Sequence, residues 1–110
     1  MKLFKCSTCN YMFEGEAIEQ ECLKCGAPPS DFKELSEEEA EKVYQAERTN
    51  DLLMQLSSLT MEIAEICYEG IEIGLDPACI KTFTYANDKA WEIKQLAKAE
   101  LENHIAKGKW

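Results

Sequence analysis

The sequence predicts a two-part fold: a small β/loop module of about 35 residues stapled by four cysteines, then an all-α helical hairpin. Three observations predict it. Two phrases that rhyme, KCSTCN at 5–10 and ECLKCG at 21–26, each hold two cysteines around two residues. Composition changes abruptly at Ser36, from turn-forming residues to strong helix formers. Beyond that point apolar residues recur at alternating steps of four and three, the period of a packed helix.

Residues 1–35 carry Gly15, Gly26, Pro28 and Pro29 and only a few large apolar side chains, among them Leu3, Phe4, Tyr11, Phe13, Ile18 and Phe32. So short a segment buries too little surface to offset its chain entropy and needs a staple. From Ser36 the reading is helical. Ser36-Glu37-Glu38-Glu39 is a capping box: the hydroxyl accepts from the third helical amide, Glu39 reaches back, and the acids suit the positive end of the dipole. The first helix is expected over about 36–73, either unbroken or interrupted at Thr49-Asn50-Asp51, three poor helix formers in a row. Its packed row is expected along Leu52, Leu56, Leu59, Ile63, Ile66, Gly70 and Ile73, widened by Leu53, Ala64, Cys67 and Ile71.

Gly74 then Asp76-Pro77 reads as stop and start: a left-handed C-cap, an N-cap and a proline at the first helical position. The second helix is expected over about 77–107, with Cys79, Phe83, Ala86, Ala90, Ile93 and Ala97 in its packed row. Two helices alone do not close a core, so two chains are expected to pair their hairpins into a four-helix bundle as a homodimer. The alternative is a monomeric hairpin folded back on the first module. Cys67 and Cys79, near the turn, read as small buried hydrophobes.

Charge narrows the partners. Net charge is −9; residues 1–35 hold four lysines against six acids, and residues 36–110 eight basic against fifteen acidic groups. Such a chain repels nucleic-acid backbones and anionic membrane surfaces, and suits a basic protein partner. No stretch approaches the ~20 apolar residues of a membrane span, and MKLFKCSTCN lacks the apolar centre of a signal peptide. The expected compartment is the cytoplasm, where thiols stay reduced and the staple is a metal ion, not a disulfide.

Cys6, Cys9, Cys22 and Cys25 form Cys-x2-Cys-x12-Cys-x2-Cys, the expected metal ligands. Two intervening residues let a tight turn aim both sulfurs at one point, and two such knuckles face each other as a tetrahedral S4 cage. The residue after each second cysteine, Asn10 and Gly26, is of the type that best tolerates positive φ, which presents turn amides to the thiolates. An S4 cage holds one zinc ion as a structural staple or one iron ion cycling between Fe2+ and Fe3+; spacing alone does not choose. It leaves no open coordination position, so hydrolytic chemistry is not expected.

With Tyr11, the Glu14-Gly15 turn, the run Cys25-Gly26-Ala27-Pro28 and then Phe32, residues 3–35 resemble the rubredoxin-like domain of the rubrerythrin family. The resemblance implies a rubredoxin-like fold and a mononuclear Fe(S-Cys)4 centre that passes single electrons. Asn10 stands where that family has glycine, and Leu23 where a proline is common; neither removes a ligand. Rubrerythrins pair this domain with a di-iron four-helix bundle, whose ligands include Glu-x-x-His on facing helices. Here the single histidine, His104, has Leu101 three residues before it, and the nearest acid is Glu100 at four. Glu62, Glu65, Glu69 and Glu72 offer carboxylates at helical spacing that a dimer doubles, yet they fall about 100° around the helix from the apolar row, where a solvated flank belongs. Glu100 and His104 likewise read as a surface pair rather than bundle ligands.

Three functions follow from these readings. The first is an electron carrier whose hairpin dimerises and docks a redox partner. The second is a zinc ribbon on a helical interaction scaffold with no redox role. The third is a dimer-assembled di-iron peroxidase, which the missing Glu-x-x-His disfavours; catalysis is therefore not assigned.

Overall fold

In the computed structural model, which describes residues 1–110, the chain opens with three short strands: β1 (Lys2–Cys6), β2 (Met12–Gly15) and β3 (Phe32–Glu34). They form one antiparallel sheet in the order β2-β1-β3. Lys2 pairs with Gly15 and Phe4 with Phe13 on one side of β1; Cys6 pairs with Phe32 on the other. The Phe4 and Phe13 rings meet at 6.3 Å, tilted by 44°. A single 3-10 turn, Pro29–Asp31, leads into β3, and the Leu35 amide closes on the Leu3 carbonyl at 2.8 Å.

This first unit extends over Met1–Tyr44. Besides Leu3, its buried side chains are Cys6, Cys22 and Ala27, with Cys9, Tyr11 and Phe32 packed against the last three. The core is thus assembled around sulfur, as expected of a chain segment too short to close an aliphatic one. The unit runs past Leu35 into the following helix, where the Tyr44 hydroxyl donates to the Glu14 carboxylate.

The second unit, Gln45–Trp110, is a two-helix hairpin. Its arms are α1 (Glu37–Ile73), whose first turns belong to the first unit, and α2 (Pro77–Ala106). The capping box forms as the sequence predicts: the Glu39 amide donates to Ser36 Oγ at 3.1 Å and the Ser36 amide to Glu39 Oε1 at 3.0 Å. At the turn Gly74 takes φ 57°, and the Asp76 carboxylate accepts from the Cys79 amide at 2.8 Å with Pro77 in the first helical turn. Gly70 lies against the Phe83 ring so closely that a Cβ there would clash with the ring.

One open alternative is decided and one expectation is corrected. Thr49-Asn50-Asp51 does not break α1, which is continuous over 37 residues, ~56 Å at 1.5 Å per residue. Asn50 disfavours helices when its side chain competes for nearby backbone. Here that side chain is spent on α2 and its C-terminal flank: Nδ2 donates to the Lys109 carbonyl at 2.8 Å and Oδ1 pairs with His104 Nδ1 at 2.5 Å. The packed row of α1 is displaced about 100° from its expected line, onto the side where Leu53, Ala64, Cys67 and Ile71 are expected to widen it. The buried positions are Ala46, Asn50, Thr60, Ala64 and Cys67, facing Ala90 and Ala97 of α2. The large residues expected to pack, Leu52, Leu56, Leu59, Ile63, Ile66 and Ile73, remain 42–68% exposed. Helices with alanine, serine and threonine at their contact approach more closely than leucine allows. On α2 the expected row stands closer to its prediction, with Ala90 and Ala97 buried and Cys79, Phe83 and Ala86 half-buried, although Ile93 is exposed.

Candidate metal centre

The rhyme between the two cysteine phrases is repeated bond for bond. In the first knuckle the Cys6 amide donates to the Tyr11 carbonyl at 2.8 Å and the Asn10 amide to the Cys6 carbonyl at 2.9 Å. In the second, the Cys22 amide donates to the Ala27 carbonyl and the Gly26 amide to the Cys22 carbonyl, both at 2.8 Å. Asn10 and Gly26 close these turns with φ of 69° and 76°, the left-handed region that Asn and Gly tolerate. Their own amides are used on backbone carbonyls; the left-handed step turns the next amide inward, so that Tyr11 donates to the Cys9 sulfur and Ala27 to the Cys25 sulfur.

The four sulfurs lie within 4.8 Å of one another. Cys6 and Cys25 Sγ are 3.7 Å apart and Cys9 and Cys22 Sγ 3.5 Å, too far for a disulfide bond of ~2.05 Å. A tetrahedron of thiolates at ~2.3 Å from a central ion has edges of ~3.8 Å, so the cluster has the size of such a cage. Four soft sulfur donors fit iron and zinc alike. The result is a four-cysteine metal-binding site in a module of rubredoxin or zinc-ribbon type, set on a three-stranded sheet and followed by two helices.

Local electrostatics separate the sulfurs. Cys6 and Cys22 are buried, Cys9 is half-buried and Cys25 is exposed, so the second cysteine of each knuckle forms the outer edge. Burial pushes the Cys9 thiol up to about 12, with the Tyr11 amide opposing it and the neighbouring thiols adding to the rise. For Cys22 burial acts in the same direction but is outweighed by the Cys25 and Lys24 amides, which draw it down to about 7. Outside the cage, Cys67 is buried in the hairpin, and the Asp76 carboxylate followed by desolvation holds the Cys79 thiol above its ordinary value.

One supporting residue escaped the sequence reading. Asp31, in the 3-10 turn, accepts from the Ser7 amide through its carbonyl at 2.9 Å and from Thr8 Oγ1 through its carboxylate at 3.3 Å, tying the first knuckle to the start of β3. An Asp two residues after a Pro-Pro pair signals a turn; which loop it holds depends on the fold.

Glu62, Glu65, Glu69 and Glu100 are exposed side chains, and the cysteine cluster contains none of them. The Glu100–His104 pair expected from helical spacing gives way to Asn50–His104, a partner across the hairpin that spacing along one helix does not reveal. Trp91 Nε1 donates to the Tyr68 hydroxyl at 3.2 Å across the same hairpin. No helix is long and apolar enough to cross a membrane. In comparisons with family models, curated proteins and solved structures, the chain matches none of them.

Proposed function

We propose that this protein is a one-electron carrier of rubrerythrin-type rubredoxin character, with one iron ion held by Cys6, Cys9, Cys22 and Cys25. The observation that carries the reading is the asymmetry of the cage: Cys6 and Cys22 are sealed in the core while Cys9 and Cys25 reach the surface. Bound iron supplies the Fe2+/Fe3+ couple, with four thiolates and no open position for substrate. The chain's own contribution is to fix the ligands before and after the electron moves. The paired knuckle turns hold the sulfur positions, and the Tyr11, Lys24, Cys25 and Ala27 amides offset negative charge on sulfur. The Cys9–Cys25 edge is the short path to a docked donor or acceptor. A net charge of −9 suits a basic redox protein, in keeping with a cytoplasmic carrier, and the helical hairpin supplies pairing of two chains and partner docking.

A second reading is favoured by the makeup of the core. Because Cys6 and Cys22 are themselves the buried centre of the first unit, a zinc ion would complete that unit as a staple, leaving the hairpin as an interaction scaffold. Anaerobic reconstitution with iron distinguishes the two. The carrier reading expects one iron per chain, visible thiolate-to-iron absorption when oxidised, bleaching on reduction and recovery on reoxidation. A chain that takes up iron but gains no such absorption, or cannot be cycled, is not an electron carrier.

A further inference from the structure

Helix α1 carries two rows of residues at four-three spacing; α2 covers one and, apart from Gly70 under Phe83, leaves the large members of the other exposed. The occupied row is mostly small or polar: Ala46, Asn50, Ser57, Thr60, Ala64 and Cys67 are buried or half-buried, with Leu53 and Ile71 half-buried on the same spacing. About 100° around the helix runs the second, made of Leu52, Leu56, Leu59, Ile63, Ile66 and Ile73, with no charged member and 42–68% of each residue exposed. Two rows set about a quarter-turn apart are what a helix needs in a four-helix bundle, where each helix has two neighbours. A lone hairpin provides one.

We propose that this open row is the contact with a second copy of the chain, the two hairpins closing a four-helix bundle. The proposal rests on the pairing role given above to the hairpin and is independent of which metal the cysteines hold. Size supports it: six such side chains expose on the order of 500 Å² per chain, and two copies reach the ~1,000 Å² that a specific interface clears. An aliphatic strip of this extent without a charged member is also uncommon on a monomer. Self-complementarity supports it as well. The row is aliphatic in either direction about Ile63, with Leu59 and Ile66, then Leu52 and Ile73 as counterparts; the position opposite Leu56 is Gly70, which lies under Phe83. An isologous two-fold contact requires a surface that matches itself, and here it sets Ile63 against Ile63 of the second copy. A basic partner, in contrast, is expected to seek the acidic flanks, where Glu62, Glu65, Glu69 and Glu72 stand, rather than an uncharged strip.

The test uses the full metal-loaded chain, with mass measured by light scattering and sedimentation across micromolar concentrations. The wild type is expected at twice the 12.5 kDa of one chain. Ile63→Glu and Ile63→Lys are each expected to be monomeric with unchanged helix content, and an equimolar mixture to recover the dimer, because opposite charges then meet where like charges did. Met54→Glu, equally exposed but on another side of α1, is expected to leave the dimer intact. Should the charged variants lose helix content, Leu59→Ser serves instead, with dimer affinity lowered at least tenfold. A monomeric wild type, a dimer indifferent to Ile63 and Leu59, a mixture that fails to reassociate, or a Met54→Glu monomer each overturns the proposal. Metal content and the reducible absorption are read on the same samples, so a failed dimer and a failed redox assignment appear separately.

Discussion

Gly26 and Asn10 occupy equivalent places in the two knuckles but differ in what they tolerate. Gly26 has φ 76° with no atom within 4 Å of where a Cβ would stand, so a side chain there meets open space and only the backbone objects. Gly26→Ala is expected to cost ~1–2 kcal/mol, the left-handed penalty of an L-residue, seen as a 5- to 30-fold weaker hold on metal in chelator competition. Asn10→Gly removes a tolerated strain at φ 69° and is expected to hold metal at least as well as the wild type. Equal affinities for Gly26→Ala and the wild type would show that the second knuckle does not need its left-handed step. These two positions were legible in the sequence because the requirement is local: a turn between two cysteines has few solutions. Asp31 was not, because its contact with Ser7 and Thr8 spans the sequence between the knuckles.

At the scale of elements, the caps were legible in full and the packed face of α1 only in part. Ser36, Glu39, Gly74, Asp76 and Pro77 act within a few residues of themselves and appear where their chemistry says. The sequence places Ala64 and Cys67 only at the edge of the packed face, and Ala46, Asn50 and Thr60 escape it, because a hydrophobic period weights leucine and isoleucine whereas the close contact of α1 with α2 selects small side chains. Cap chemistry also sets a pH dependence. The Cys79 amide holds the Asp76 carboxylate below its usual range, and the Ser36 amide does the same for Glu39. A carboxylate with a depressed folded value adds stability that is complete above its unfolded value near ~4 and is lost as pH falls through the folded one. Hairpin stability, followed by helix ellipticity in urea, is therefore expected to be level from neutral pH to about 5 and to decline below ~4. Asp76→Asn, which caps without titrating, should make that decline shallower; identical acid limbs would remove Asp76 as a cause.

For the whole molecule, the two units draw on different sources of stability. The first has sulfur at its centre and the second a row of helix-to-helix contacts, so removing the metal is expected to undo one and spare the other. Under a strong chelator, amide exchange should rise to unprotected rates in β1 and at Leu35 and stay slow around Ala64 and Ala90; loss of protection in all four places together would contradict independent cores. The hairpin's resistance has a further origin in the pair Asn50–His104 and the Lys109 carbonyl. Away from the Phe83 ring seated on Gly70, near the turn, the contact is made largely of small side chains, which by themselves resist sliding little. The tight turn stops one end, and the Asn50 amide stops the other, since any slippage strands buried polar atoms at ~1–3 kcal/mol each. Clamped at both ends like a caliper, the hairpin is a rod of fixed gauge, able to hold whatever seats against its open row at one unvarying spacing.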